Sequence, residues 1–297
     1  MSTSIDIVSR IAERSPTLRQ AEQKVAQAIL GDVARCATES IHELARRAGV
    51  SEASVTRFAR AVGCRNVRDL KVALARASAV GDRYLRQVQP PEGDDAKSGG
   101  TAASRQIWRD ALQVLEINHA LIDSKTMADA ARRLQRARMI YVFGMGGGST
   151  TLADEARLRL FRLGCAVTTY HDAVLQRMVA ASMRRGDVVL AFSATGNMPE
   201  LVASCTIAKE YGAAVVAVSA LGSKLAAIAD VLLPVRTFET DFIFKPSSSR
   251  YAMLLVLDTL VTEVALQQKP RSQETLRRVK FVLDEYRGGS SREPLGD

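Results

Sequence analysis

Two hydrophobic rhythms divide the chain. Up to about residue 88 the apolar positions recur at helical spacing, and no stretch alternates as a half-buried strand would. After about residue 104, short unbroken apolar runs take turns with helical stretches. Between the two lies "QPPEGDDAKSGGTAAS", rich in Pro, Gly, Ser and Asp and without apolar periodicity, which predicts a flexible linker. The chain is expected to comprise a helical domain over 1–80, a linker over 81–104 and a larger α/β domain over 105–297.

In the first part, "TLRQAEQKVAQAIL" puts Leu18, Ala21, Val25, Ala28 and Ile29 on one stripe. "SIHELARRAG" opens with a capping box, Ser40 with Glu43, and carries Ile41, Leu44, Ala45 and Ala48 on its apolar side. Gly49 can close it in the left-handed conformation. A further helix follows at once in "VSEASVTRFARAVG", with Ser51 as N-cap and Val55, Phe58, Ala59 and Val62 inward. Two helices joined by a tight turn predict a helix-turn-helix.

In the second part, "MIYVF", "AVTTY", "DVVLAF", "AAVVAVSA" and "VLLPV" read as strands, near-continuous apolar runs of strand length. Helical stretches separate the first four, a short one precedes the fifth, and "SRYAMLLVLDTLVTEVALQQ" closes the series. Unbroken apolar strands between helices predict a five-stranded parallel sheet with helices on both faces. Ligands of such sheets bind beyond the carboxyl ends of the strands. Two polar loops stand there: "GMGGGSTT" after the first strand and "SATGNMPE" after the third. The first is neither a dinucleotide fingerprint, since Ser149 stands where the last Gly is needed, nor a P-loop. The second offers hydroxyls and amides at a helix N-terminus, where an anion is favoured, with Pro199 near the first helical position. Gly146, Gly148, Ser149, Thr150, Ser193, Thr195, Gly196 and Asn197 are therefore the expected anion site. Ser248 and Arg250, at the start of the last helix, join them as a further acidic-group contact, with Lys245 and Ser247 nearby.

The 297 residues carry 41 basic and 32 acidic side chains, a net charge of +9 that suits a polyanion. Around the second helix of the pair the imbalance is sharper: between 46 and 76 only Glu52 and Asp69 are acidic. Recognition helices read base edges near their N-terminus. Ser51, Glu52, Ala53, Ser54, Thr56 and Arg57, with Arg47 and Arg60 beside them, are the expected DNA-contacting residues. The four cysteines form no CxxC pair and lie far in sequence from the histidines, so neither a disulfide framework nor a metal site is expected. No apolar run is long enough to span a bilayer and no signal peptide is apparent, which predicts a cytoplasmic protein without a membrane partner.

The run "AEQKVAQAIL…SIHELARRAGVSEASVTRFARAVGCRNVRDLKVALARA" resembles the N-terminal domain of the MurR/RpiR family of bacterial transcription regulators, over about residues 5–78. "GMGGGS", "GDVVLAFSATGNMPELVASCTIAKEYG" and "SSSRYAMLLVLDTL" resemble the SIS (sugar isomerase) domain, over about residues 136–268. The resemblance implies operator binding by a dimer and a phosphosugar held by loop hydroxyls. Ser193 and Thr195 match two of those hydroxyl positions. Met198 stands where a Thr is usual, and Gly148 where a Ser is common.

The expectation is a DNA-binding transcriptional regulator, a repressor of carbohydrate-catabolism genes acting as a homodimer or homotetramer. Its operator binding would be modulated by a phosphosugar or related sugar acid, without a cofactor. The alternatives are a phosphosugar isomerase with an accessory DNA-binding domain, and a constitutive DNA binder whose second domain holds no ligand. Asp172, Glu200, Glu239 and Asp241, with His171 nearby, lie at strand ends where an isomerase would need a base. No spacing among them singles out an acid–base pair, so no catalytic residue is assigned.

Overall fold

The computed structural model describes residues 6–87, 101–238 and 248–287. The chain divides into two compact units, with the division at Ala103–Ser104.

The first unit is all-helical. Helix α1 (Ile7–Arg14) runs into a single 3-10 turn (Ser15–Thr17), then come α2 (Gln20–Gly31) and the short α3 (Val33–Thr38). The helix-turn-helix follows as α4 (Ile41–Ala48) and α5 (Glu52–Ala61), and α6 (Val67–Gln87) completes the unit. Val25, Ile29, Leu44, Val55, Phe58 and Leu70 are fully buried in one core. The predicted caps are in place. Ser40 Oγ accepts the Glu43 amide at 3.1 Å, while the Glu43 carboxylate accepts the Ser40 amide at 2.6 Å. Gly49 adopts φ +63°, as the left-handed end of α4 requires.

The linker expectation needs correction at both ends. Residues 81–87 continue α6, because "ALARASAVGDRYLRQ" has no proline and a single glycine to interrupt it. Residues 102–104 already belong to the next helix. The stretch from 88 to 100 lies outside the described residues.

The second unit begins with two helices that the apolar pattern did not single out, α7 (Ala102–His119) and α8 (Ser124–Arg136). The alternating part follows: β1 (Met139–Gly144), α9 (Gly147–Arg162), β2 (Val167–Tyr170), α10 (Ala173–Ala181), β3 (Asp187–Ser193), α11 (Pro199–Glu210), β4 (Ala214–Ala220), α12 (Lys224–Ile228) and β5 (Val231–Val235). Helix α13 (Ser249–Gln267) is not the last, contrary to expectation: α14 (Lys269–Tyr286) follows it after a single residue. The five strands are all parallel, in the order β2-β1-β3-β4-β5.

Alternate residues of β3 feed two separate cores, since successive side chains of a strand point to opposite faces. Val188, Leu190 and Phe192 pack with α8, α9 and α13, whereas Val189 and Ala191 pack with α10, α11 and α12. The sheet is thus covered on both faces, as its unbroken apolar strands foretold. Asn118, fully buried, ties α7 to the chain leaving β5, donating to Arg236 O at 2.8 Å and accepting the Arg236 amide at 2.7 Å. At the amino edge, the buried Asp187 accepts from Arg138 at 2.5 Å and from the Arg184 amide at 3.1 Å.

The Ser40 amide and hydroxyl hold the Glu43 carboxyl below its ordinary value. Folding lowers this pKa, so the stabilisation is complete above the unfolded value of about 4.3 and vanishes as pH falls through the lowered one. Glu43→Gln should therefore lower the denaturation midpoint of the helical unit near neutral pH. The gap from wild type should close on acidification, as followed by circular dichroism.

Candidate functional site

In a parallel sheet of this order the switch point lies between β1 and β3, whose following helices leave for opposite faces. Gly144, the last residue of β1, pairs with Phe192, next to the last of β3, so the two polar loops start side by side. The first loop is tightly folded. A Cβ on Gly144 would lie 2.2 Å from the Ser149 carbonyl oxygen, so only glycine fits where β1 turns into α9. Gly146 precedes the helix at φ +72°, another conformation that glycine tolerates best.

No side chain caps α9, and none caps α11, which starts at Pro199. The helices after β2 and β4 are treated differently. Asp172 accepts the amides of Val174 and Leu175 at the start of α10, and Ser223 accepts the Ala226 amide at the start of α12. The two helix N-termini at the switch point are thus the ones left without a side-chain cap among these four. Uncapped first-turn amides carry the positive end of the helix dipole toward whatever lies beyond the strands.

The expected anion-site residues come together only in part. Gly146, Gly148, Thr195 and Asn197 are exposed at the carboxyl end. Ser149 is buried, and Thr150 Oγ1 donates to Gly146 O at 2.9 Å within its own helix. Ser193, also buried, accepts the Gly196 amide at 3.0 Å and so shapes its own loop. Asn197 Oδ1 accepts the Lys224 amide at 3.2 Å. Met198, where a hydroxyl residue was expected, lies partly buried with its methyl group 3.9 Å from the Cβ position of Gly146. Ser248 is buried, while Arg250 is exposed and packs over Tyr251, 5.1 Å from the ring centroid. Lys245 and Ser247 lie outside the described residues.

Ser219 and Ser223 were missed from the sequence. Ser219 donates to Ser193 O at 2.8 Å, and the two hydroxyls lie 3.5 Å apart beneath Gly196. They are contributed by β4 and the start of α12, so only the strand order brings them under the loop. An apolar cavity of about 160 Å³ between α8, β5 and α13 has only Asp123 and Thr126 as polar lining, and they are engaged with each other.

Three of the five candidates for an isomerase base lie among the described residues. Asp172 caps α10, and Glu200 is exposed in the first turn of α11, where the dipole favours it. His171 lies 3.1 Å from Gly144 O and 3.2 Å from Asp154 Oδ1, fastening β2 to the end of β1. Glu239 and Asp241 lie outside the described residues.

On the helix-turn-helix, Ser51, Glu52, Ala53, Arg57 and Arg60 are exposed and Thr56 is half-buried. Ala53, Thr56, Arg57 and Arg60 follow helical spacing and share one outward face. Two expected contacts are not on it. Ser54 is 4% exposed, bonded to Ser51 Oγ at 3.0 Å and to Arg57 at 2.9 Å. A serine three residues after an N-cap serine turns back to the cap. Arg47 also turns inward, donating to Glu39 at 2.9 Å, Ala28 O at 2.9 Å and Cys36 Sγ at 2.6 Å. Its guanidinium joins α2, α3 and α4 rather than facing solvent.

A basic helix-turn-helix joined to a parallel sheet with polar loops at its switch point defines a class of two-domain transcription regulator. Comparison with known proteins agrees on both halves. Residues 5–81 match the helix-turn-helix domain of the rpiR family, and residues 133–263 match the SIS domain. The chain is 34% identical to the transcriptional regulator HexR of Pseudomonas aeruginosa, over 94% of its own length and 95% of that protein's. HexR of Escherichia coli is 32% identical over 95% of this chain and 96% of its own. The solved structure of Vibrio vulnificus NanR complexed with ManNAc-6P shares the fold, with a TM-score of 0.58 at 24% identity over 95% of this chain and 99% of that one. The chain belongs to the RpiR family: it is a transcriptional regulator with a helix-turn-helix and an SIS domain. No helix among the described residues is long and apolar enough to cross a membrane.

Gly196 sits at φ +65°, and a Cβ there would lie 2.1 Å from Ser223 Oγ and 2.3 Å from Ser219 Oγ. Gly196→Ala should destabilise the α/β unit by about 1–3 kcal/mol, as forced overpacking does. A lowered thermal transition would show it; an unchanged one would mean that the serines can move aside.

Proposed function

We propose that the protein represses carbohydrate-catabolism genes from the cytoplasm, and that a phosphosugar or related sugar acid bound at the switch point modulates its hold on operator DNA. The observation that carries the proposal is the pair of uncapped helix N-termini, α9 after β1 and α11 after β3, beside loops rich in glycine and hydroxyls. An anionic group there would take amides from both first turns, with Gly146, Gly148, Thr195 and Asn197 around it. Ser193 and Ser149 would contribute mainly by holding the loops in shape. Arg250, exposed at the start of α13, supplies a cation for a second acidic group.

DNA would be read by the outward face of α5. Arg57 can make a bidentate contact to guanine, Thr56 and Ala53 can meet base edges or a thymine methyl, and Arg60 can meet a phosphate. In a homodimer two such helices would enter major grooves about 34 Å apart, one helical turn of DNA. A homotetramer would hold two such pairs. For the effector to act, it must bind the DNA-competent and the DNA-incompetent arrangements with different affinity. The NanR structure, which shares this fold and holds ManNAc-6P, supports an effector of this class.

The test is fluorescence anisotropy of a duplex enriched by the protein from a random-sequence pool, with and without a mixture of sugar phosphates and sugar acids. The mixture should change the affinity, and Ser193→Ala with Thr195→Ala should abolish that change while DNA affinity stays. Binding that no component of the mixture alters would count against an effector of this class. Arg57→Ala should cost about 1–3 kcal/mol on the enriched duplex and relax base preference at one position. Equal losses on every sequence would make Arg57 a phosphate contact.

A further inference from the structure

The last four carbonyls of a helix need partners from outside its own ladder. At the end of α5 the chain itself meets three: Val62 N donates to Phe58 O at 3.0 Å, Cys64 N to Ala59 O at 2.9 Å and Gly63 N to Arg60 O at 3.0 Å. The next two carbonyls are met from a distant element. Arg14 Nη1 donates to Ala61 O at 2.6 Å, and Arg10 Nη1 donates to Val62 O at 3.2 Å. Both arginines come from α1, one turn apart, and α1 is anchored beneath them by the buried Ile7 and Ile11. Gly63 leaves the room: its Cβ position lies 3.1 Å from Arg10 Nη1, and its φ of +83° turns the chain away after the helix.

We infer that Arg10 and Arg14 are positioning residues that set the angle at which α5 presents its outward face to DNA. The inference rests on the proposal that α5 is the reading helix. The N-terminal end of α5 is fixed by the tight turn from α4 and by Ser51, which caps the Ser54 amide. Its C-terminal end is fixed by these two guanidinium groups, whose positive charge also suits the negative end of the helix dipole. A helix of ten residues, about 15 Å long, is thus held at both ends by groups outside its reading face. Freeing the far end lets the helix pivot about the turn, which misaligns every base contact together while leaving phosphate attraction in place.

The full-length protein is titrated against the enriched duplex and against a scrambled duplex of the same length, over a range of salt. The variants are Arg10→Gln, Arg14→Gln, the double variant and Arg14→Lys. The double variant should lose roughly tenfold on the enriched duplex, the size of one lost base contact, with scrambled-duplex affinity and salt slope as in wild type. Arg14→Lys should recover much of the loss expected for Arg14→Gln, since an ammonium can still donate to Ala61 O. A salt slope that falls by about 0.9 per arginine on both duplexes would make them phosphate contacts and overturn the inference. Unchanged discrimination would overturn it as well. Should the double variant lose its helical circular dichroism, Arg14→Gln, whose side chain is exposed, decides the matter alone. A wild-type protein that does not discriminate between the duplexes would refute the reading role of α5 itself, and the inference with it.

Discussion

Strand β3 is hydrogen-bonded along both edges, and all seven of its residues are buried. A segment so enclosed has room for polar chemistry only at its ends, since an unpaired polar group in its middle would be costly. Parallel pairing then puts all the carboxyl ends of the sheet at one rim. The helices on either side of the switch point diverge from there: α9 packs into one core and α11 into the other. Their first turns part at that rim. The glycines and hydroxyls of the two loops are the residues compatible with that geometry, and the absence of side-chain caps on those two helices keeps their amides available.

Much of this was legible beforehand because it depends on local rules. The strands announced themselves as near-continuous apolar runs, β2 with its Thr168 and Thr169 least so, and their parallel arrangement followed from the helices between them. Ser40, Glu43, Gly49 and Ser51 mark their helix ends through short-range hydrogen bonds and a left-handed residue, which sequence spacing encodes directly. The misses depend on context. Helices α7 and α8 carry their apolar residues more sparsely than the strands nearby, so α7 buries only Val114 and Asn118 among its residues. Residues 81–87 stayed helical because proximity to a flexible composition does not itself break a helix.

Side-chain direction was the harder part of the site. Arg47 and Ser54 have the right chemistry for DNA and lie in the right segment, yet both are spent on the protein. Arg47 has Glu39, Ala28 O and Cys36 within reach, three partners drawn from elements earlier in the chain that no spacing argument brings together. Ser54 lies near enough to its own N-cap to be drawn back. Ser193 follows the same logic at the other site, where its oxygen closes the turn that carries Thr195. Conversely, Ser219 and Ser223 gave no signal of their own. Their importance comes from β4 lying next to β3, a property of the whole sheet.

The fastening of the second loop has a mechanical consequence. Gly196 O accepts the Leu225 amide at 2.9 Å, and Asn197 Oδ1 accepts the Lys224 amide, so the first turn of α12 hangs from the loop. Below, the two serine hydroxyls leave Gly196 no downward travel. The loop and the first turn of α12 (Lys224–Ile228) are thus joined by two hydrogen bonds, and a shift of one strains the other. Helix α12 packs against α11 and β4. The polar loop after β3 and the helix after β4 therefore behave as one mechanical piece, although the chain between them runs through a whole strand.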